Sequence, residues 1–111
     1  MEPQPREVEL YQTEEGKATF SIWLEGLRDA KTRANILRRV ARIRLGLLGD
    51  YKAVGDGVYE LRIDIGPGYR IYFTQLGKTV ILLLCAGDKG SQAADIRKAK
   101  EYWADYQERT S

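Results

Sequence analysis

Residues 58–90 read VYELRIDIGPGYRIYFTQLGKTVILLLCAGDKG, and this stretch decides the fold. Side chains of a β-strand alternate between its two faces. Within 59–65 the apolar residues take one parity and the charged residues take the other. The segment 69–75 alternates in the same way after Gly-Pro-Gly at 66–68, a spelling that suits a turn. The sequence therefore predicts a hairpin with one apolar face and one charged face.

The predicted register of this hairpin places several polar side chains on its charged face. A three-residue loop at 66–68 would pair Ile65 with Tyr69, Asp64 with Arg70, and Arg62 with Tyr72. Because burying an unpaired charge is costly, we expect Arg62, Arg70 and Tyr72 to share a solvent-facing surface. A simpler interpretation is that Asp64 and Arg70 form an ordinary cross-strand ion pair.

The segments on either side of the hairpin complete the predicted fold. Apolar residues at helical spacing predict two helices before it, and Ser91 is a suitable N-cap for a third helix after it. The predicted elements are a strand at 8–12, helices at 15–28 and 31–48, strands at 51–54, 58–65, 69–75 and 79–85, and a helix from 91 to about 107. This order predicts one α+β domain, residues 1–111, in which an N-terminal strand and a helical hairpin pack on a small antiparallel sheet, followed by a C-terminal helix.

The composition limits the possible chemistry. Hydrophobic residues make up 43% of the chain and charged residues 31%, as in ordinary globular proteins. The apolar run 80–86 is too short to cross a bilayer, and no secretory signal is visible. Cys85 is the single cysteine, expected in the core, so we expect a cytoplasmic protein without disulfides. Histidine is absent, which excludes Ser-His-Asp and Cys-His catalysis, and we expect neither a metal nor a cofactor.

A local excess of positive charge lies between residues 28 and 52, although the net charge is only +2. Arg38, Arg39 and Arg42 project from helix 31–48 on the side opposite its apolar stripe. Such an excess is typical of a surface that binds a polyanion. A solvated helix face is the alternative interpretation.

Several strings in the chain resemble the RelE/ParE toxin superfamily, and within it the HigB-like "addiction module killer" branch. The resemblance runs from Phe20 to about Trp103, and its strings are specific only in combination. They are LG and GDYK within 45–52, GVYELR at 57–62, GYRIY at 68–72 and GDK at 87–89.

The resemblance implies a bacterial type II toxin that a cognate helix-turn-helix antitoxin holds inactive, with operator DNA bound only through the antitoxin. Members of the ribonuclease branch are similar in cleaving mRNA, usually on the ribosome, by attack of the ribose 2′-hydroxyl on the adjacent phosphate. This reaction needs a base, cations around the phosphorane and a proton donor, but no metal. A ParE-like gyrase poison, or an inactive homologue that still binds an antitoxin, is the alternative, because one fold supports several activities.

The resemblance also assigns site residues by position. Arg70 matches the sheet arginine of the superfamily and Lys89 its late basic residue, while Arg62 and Lys52 lie where further basic groups are common. Lys89 has a simpler interpretation, an ion pair with a neighbouring acid, Asp88 or Asp95. The implied RNA-binding residues are Arg38, Arg39 and Arg42.

The proton-transfer groups are less determined by the sequence. Residues 90–95 read GSQAAD and lack the tyrosine or histidine that several relatives carry there. Tyr72 is the substitute proton donor, since a free tyrosine has a pKa near 10. Lys52 and Glu60 are alternative candidates for the base. The predicted catalytic residues are therefore Lys52, Arg62, Arg70, Tyr72 and Lys89.

Overall fold

The computed structural model describes residues 4–111 and confirms the predicted α+β class. Its strands are β1 (Glu7–Leu10), β2 (Tyr51–Gly55), β3 (Val58–Ile63), β4 (Tyr69–Leu76) and β5 (Val80–Asp88). Its helices are α1 (Thr19–Glu25), α2 (Ala30–Arg44) and α3 (Gln92–Thr110), and a 3₁₀ turn, Lys89–Ser91, precedes α3. None of these helices is long and apolar enough to span a membrane.

The five strands form one mixed sheet in the order β1-β5-β4-β3-β2. Strands β2 to β5 follow each other as antiparallel neighbours, as predicted. Strand β1 lies parallel to β5, with Glu7 opposite Val80 and Leu10 opposite Leu83. The helical hairpin is the crossover that carries the chain from β1 to the far edge of the sheet.

Helices cover both faces of the sheet, because the apolar residues of the central strands point to both sides. The α1/α2 face buries Ile36, Val40 and Ile43 of α2 against Leu61 and Ile71. The opposite face, which we call the α3 face, is covered by α3. The buried core residues on this face are Tyr11, Val58, Tyr72, Leu82, Leu84, Cys85 and Ala99.

A β-bulge in β5 changes the side-chain alternation of that strand. Tyr72 lies opposite Cys85 and Phe73 lies opposite Leu83, so Leu84 is the extra residue. As a result Leu84 and Cys85 both contribute to the α3 face, and Ala86 returns to the α1/α2 face. The expectation that Cys85 is a core residue is confirmed.

Helix α2 ends four residues earlier than predicted. The N–H of Gly46 donates to the carbonyl of Ile43 and the N–H of Leu47 donates to that of Arg42, which is a Schellman motif. Gly46, with φ of 85°, therefore closes the helix. Leu47 lies beyond the helix and remains 39% exposed.

The limits of the other helices also differ from prediction for local reasons. Helix α1 begins only at Thr19 because 13–17 form a turn in which the N–H of Thr13 donates to the carbonyl of Lys17. Strand β5 continues to Asp88, whose carboxylate accepts the N–H of Ser91 and caps the 3₁₀ turn. Ser91 occupies the N-cap position of α3 as predicted, but its side chain makes no capping hydrogen bond.

Candidate functional site

The hairpin of β3 and β4 has a five-residue connection, 64–68, and a register two residues away from the predicted one. Arg62 lies opposite Arg70, and Glu60 lies opposite Tyr72. The connection is longer because Gly68 makes two hydrogen bonds. The N–H of Gly68 donates to the carbonyl of Ile65, and the carbonyl of Gly68 accepts the N–H of Lys89, so the turn is held against the end of β5. A register shift of two residues leaves every side chain on the face of the sheet that its parity predicts.

The predicted solvent-facing surface for Tyr72 is wrong. Tyr72 and Glu60 are fully buried, and Arg70 is only 7% exposed, because α3 packs over this part of the sheet. The predicted Asp64–Arg70 pairing is also wrong, because Asp64 lies in the connection and Arg70 faces another arginine. The charged residues of the hairpin, Glu60, Arg62 and Arg70, thus lie at the edge of the core, beneath the first residues of α3.

The carboxylate of Glu60 is the centre of this buried polar cluster. Its Oε2 accepts from Gln92 Nε2 at 2.7 Å and from the Tyr72 hydroxyl at 3.2 Å. Its Oε1 lies 3.4 Å from Arg62 Nε and 3.7 Å from Arg70 Nε. A buried carboxylate is tolerated when cations and donors satisfy it, and four groups from three elements do so here.

This arrangement keeps Tyr72 protonated. Burial, followed by the negative charge of Glu60 and the hydrogen bond to it, raises the pKa of Tyr72 well above its ordinary value. The phenol proton is already donated to Glu60, and no part of the side chain reaches the surface. The geometry therefore gives Tyr72 a supporting position beneath the arginines and leaves its predicted role as proton donor without structural support.

Arg70 connects the buried cluster to the surface. Its Nη1 donates to the carbonyl of Tyr69 at 3.3 Å, while its buried Nε has no hydrogen-bond partner among residues 4–111. A Cβ at Gly68 would lie 3.7 Å from both Arg70 Nη1 and Lys89 Cβ, so Arg70 and Lys89 meet beside this glycine. Lys89 is exposed and forms no ion pair with any residue of the described chain.

Lys52 adds a further cation on the neighbouring strand. It is exposed on β2, directly opposite Glu60, and so lies on the same face as Arg62. The structure therefore brings Lys52, Arg62, Arg70 and Lys89 around one buried carboxylate, and we call these four residues the cation cluster. Arg62 and Arg70 approach Glu60, and the exposed Lys52 and Lys89 form no ion pair in the described chain, so these four cations carry more charge than Glu60 neutralises.

The basic side of α2 borders a groove that reaches the cation cluster. A cavity of about 420 Å³ separates α2 from the end of β3. Arg38, Arg39 and Arg42 line one side, and Arg62 lines the other. Arg62 thus belongs to both the groove and the cation cluster. It connects the cluster to the predicted RNA-binding arginines, although α2 packs on the opposite face of the sheet.

Sequence reasoning missed the contribution of α3. Gln92, at its first residue, donates to Glu60, and the hydroxyl of Ser91 donates to the buried carboxylate of Asp95. Gly87 makes room for this second pair, because a Cβ there would collide with Asp95. The available signal was a run of polar residues, 88–92, between an apolar strand and a helix.

The part of the chain that carries the cation cluster and the groove is also the part that resembles a known family. A family model described as "Phage derived protein Gp49-like (DUF891)" matches residues 23–103, which include the cation cluster and the α2 groove. An "Uncharacterized protein" of Haemophilus influenzae is 45% identical over 82 residues, covering 74% of this chain and 83% of that protein. The chain therefore belongs to the phage-derived Gp49-like family, a family associated with toxin–antitoxin systems.

Proposed function

We propose that this protein is the toxin of a type II toxin–antitoxin system and acts as a metal-independent mRNA endoribonuclease of the HigB-like kind. The observation that carries the proposal is the cation cluster, in which two arginines share one buried carboxylate and two exposed lysines lie beside them. A pentavalent phosphorane carries negative charge on its equatorial oxygens, and preorganised cations lower its energy more than that of the ground state. The cluster suits that charge without a metal ion.

In this mechanism the arginines hold the scissile phosphate. Arg70 is the best-placed phosphate ligand, because its guanidinium is fixed from below by Glu60 and from the side by the Tyr69 carbonyl. A guanidinium fixed in this way presents parallel N–H groups to two phosphate oxygens. Arg62 and Lys89 flank it and contribute further positive charge.

The groups that move protons are found among the exposed residues. Glu60 accepts from Gln92 and Tyr72 and is enclosed, which makes it a poor choice for the base. Lys52, acting as the neutral amine and not as a cation of the cluster, is the proposed group that removes the 2′-hydroxyl proton, and the ammonium of Lys89 donates a proton to the departing 5′-oxygen. Glu60 and Tyr72 then act on the reaction only by positioning the arginines.

A toxin of this kind needs a partner that inactivates it. We propose a helix-turn-helix antitoxin that covers the cation cluster or blocks access to it and binds operator DNA on behalf of the complex. The helical hairpin and the residues after it offer apolar contacts, since Ile22, Leu37 and Leu45 are 55%, 52% and 62% exposed. The ribosome is the proposed place of mRNA cleavage.

Induction of the protein in a bacterial host, followed by primer extension on cellular mRNA, tests the proposal. Cleavage ends aligned with codons, which disappear when Arg70 is replaced by Ala, are the expected result. Covalent complexes of gyrase with cleaved DNA, without new mRNA ends, would instead support a gyrase poison and contradict the nuclease.

A further inference from the structure

The groove beside α2 has a mixed charge that a phosphate site would not need. Besides four arginines, the carboxylates of Asp50 and Asp64 line it. Among residues 4–111 neither carboxylate forms an ion pair with an arginine of the groove. An acid inside a phosphate site repels its ligand, so these two residues favour a ligand that also has hydrogen-bond donors.

Two arginines of the groove donate hydrogen bonds to groups other than these acids. Arg39 Nη2 donates to the carbonyl of Leu48 at 3.2 Å, and its Nε is buried without a partner in the described chain. Arg38 Nη1 donates to Asn35 Oδ1. Arg38 and Arg42 are exposed and Arg39 is half-buried, and all three border the cavity that Asp64 lines as well.

The groove also has an apolar part and a suitable size. Ile63, which is buried, and Ile65, which is half-buried, line it at the end of β3. Its volume of about 420 Å³ lies within the range of pockets that bind small organic ligands, about 300–1,000 Å³. A flat, largely apolar ring with a polar edge would fit such walls, since bases stack on apolar side chains and on guanidinium planes.

We propose that the groove binds an unpaired guanine base. Guanine presents O6 and N7 as adjacent acceptors, for which arginine is the usual partner, and N1–H and N2–H₂ as adjacent donors, which a carboxylate accepts. Of the four RNA bases, guanine alone combines these two edges, and the groove offers both arginine and aspartate to meet them. The reading of this base as part of an mRNA substrate rests on the proposed nuclease function.

Arg62 determines what such a subsite would do. Because Arg62 lines the groove and also approaches Glu60, a base in the groove lies next to the phosphate held at the cation cluster. The groove would then select a guanine adjacent to the cleavage position. The helix arginines would read a base as well as attract the RNA backbone.

Binding of free nucleotides tests the inference without any cleavage assay. The ¹⁵N-labelled protein is titrated with guanosine, inosine and adenosine monophosphates and with inorganic phosphate, while amide shifts of 35–42 and 62–65 are followed. We expect guanosine monophosphate to bind at least about tenfold more tightly than adenosine monophosphate, with inosine monophosphate, which lacks the N2 amino group, in between. Inorganic phosphate, which the proposed function places at Arg70 and Arg62, should shift the amide of Arg62 but not those of 35–42.

A double variant, Asp50→Asn with Asp64→Asn, gives the second measurement, and Glu108→Gln on the exposed end of α3 is its matched control. The double variant should lose the preference for guanosine monophosphate, and the control should keep it. Equal shifts of the amides of 35–42 with inorganic phosphate, tighter nucleotide binding by the double variant, or no groove shifts with guanosine monophosphate would overturn the inference. Guanosine binding without mRNA cleavage in cells would refute the proposed function and leave the groove assignment standing.

Discussion

Arg62 and Arg70 face each other across β3 and β4, and both direct Nε toward one carboxylate oxygen of Glu60, at 3.4 and 3.7 Å. Like charges directly opposite each other on neighbouring strands are destabilising unless an anion separates them. Glu60 neutralises only one of the two guanidinium groups. A bound phosphate would supply the second negative charge, so the pair is arranged to gain stability from the ligand that we propose.

Replacing Arg70 with Ala should abolish toxicity. The loss of a fixed phosphate ligand is expected to lower the cleavage rate on the order of 10²-fold or more. Arg97→Ala, an exposed change on α3, is the control. Growth after induction and a thermal melt of the purified protein are the measurements. A folded Arg70→Ala protein with full toxicity would refute this placement of the active site.

Lys89 should matter for activity and not for stability. Its neighbours Asp88 and Asp95 are occupied by hydrogen bonds from Ser91, and Lys89 is exposed. We expect Lys89→Ala to change the free energy of unfolding by less than about 0.5 kcal/mol and to slow cleavage, and Lys89→Arg to restore part of the rate. A clear loss of stability with unchanged cleavage would mean that Lys89 only supports the fold.

Replacing Arg38, Arg39 and Arg42 together with Gln should weaken RNA binding and flatten its salt dependence. For each phosphate of a single strand that the variant no longer neutralises, the slope of log K against log salt should fall by about 0.7. Single-turnover cleavage at saturating RNA should change little. The double variant Arg38→Gln with Arg42→Gln is the control, because it keeps the hydrogen bond from Arg39 to Leu48. An unaltered slope in both variants would indicate a solvated face.

Alkaline pH should destabilise the protein through Tyr11. The Tyr11 hydroxyl donates to Asp105 at 2.6 Å, and burial, followed by this hydrogen bond, raises the pKa of Tyr11 to about 12. An unfolded tyrosine has a pKa near 10, so the unfolded chain loses its proton first. The contribution of Tyr11 is therefore complete below about pH 10 and is lost as the pH rises to about 12. Urea unfolding across this range should show a shallower decline for Tyr11→Phe; equal declines would contradict the assignment.

The cognate antitoxin should abolish cleavage when mixed with the toxin in equimolar amounts. A positive cluster with one enclosed counter-ion attracts polyanions, so the partner is expected to cover it or to block access to it. The complex, and not the toxin alone, should bind operator DNA. Cleavage assays with and without the product of the neighbouring gene measure this effect. Undiminished cleavage by a verified complex would contradict the proposed mode of neutralisation.

The sequence predicted the fold because periodicity determines which side of an element is apolar. The sequence correctly predicts that Arg62 and Arg70 lie on the same face of the hairpin. It predicts the wrong length for the connection between β3 and β4. That length depends on the hydrogen bond between Gly68 and Lys89, two residues far apart in the chain. The burial of Tyr72 was not predictable, because the apolar stripe of α3 does not say which side of the sheet it covers. The pairing of Gln92 with Glu60 follows from the same packing.

The bulge at Leu84 shifts the alternation of the β5 side chains by one residue in the middle of the sheet. Because of it, Gly87 lies on the same face as Tyr72 and Cys85, beside Asp95, and Ala86 points away. If the same sequence alternated without a bulge, the methyl group of Ala86 would face α3 where the Asp95 carboxylate now lies. Deleting Leu84 would remove the bulge and keep Gly87 opposite Arg70 on the α3 face, whereas deleting a residue beyond the bulge, such as Ala86, would change which residues the end of the strand turns toward α3. When relatives of different length are aligned, the position of any gap in this strand decides whether the site is preserved.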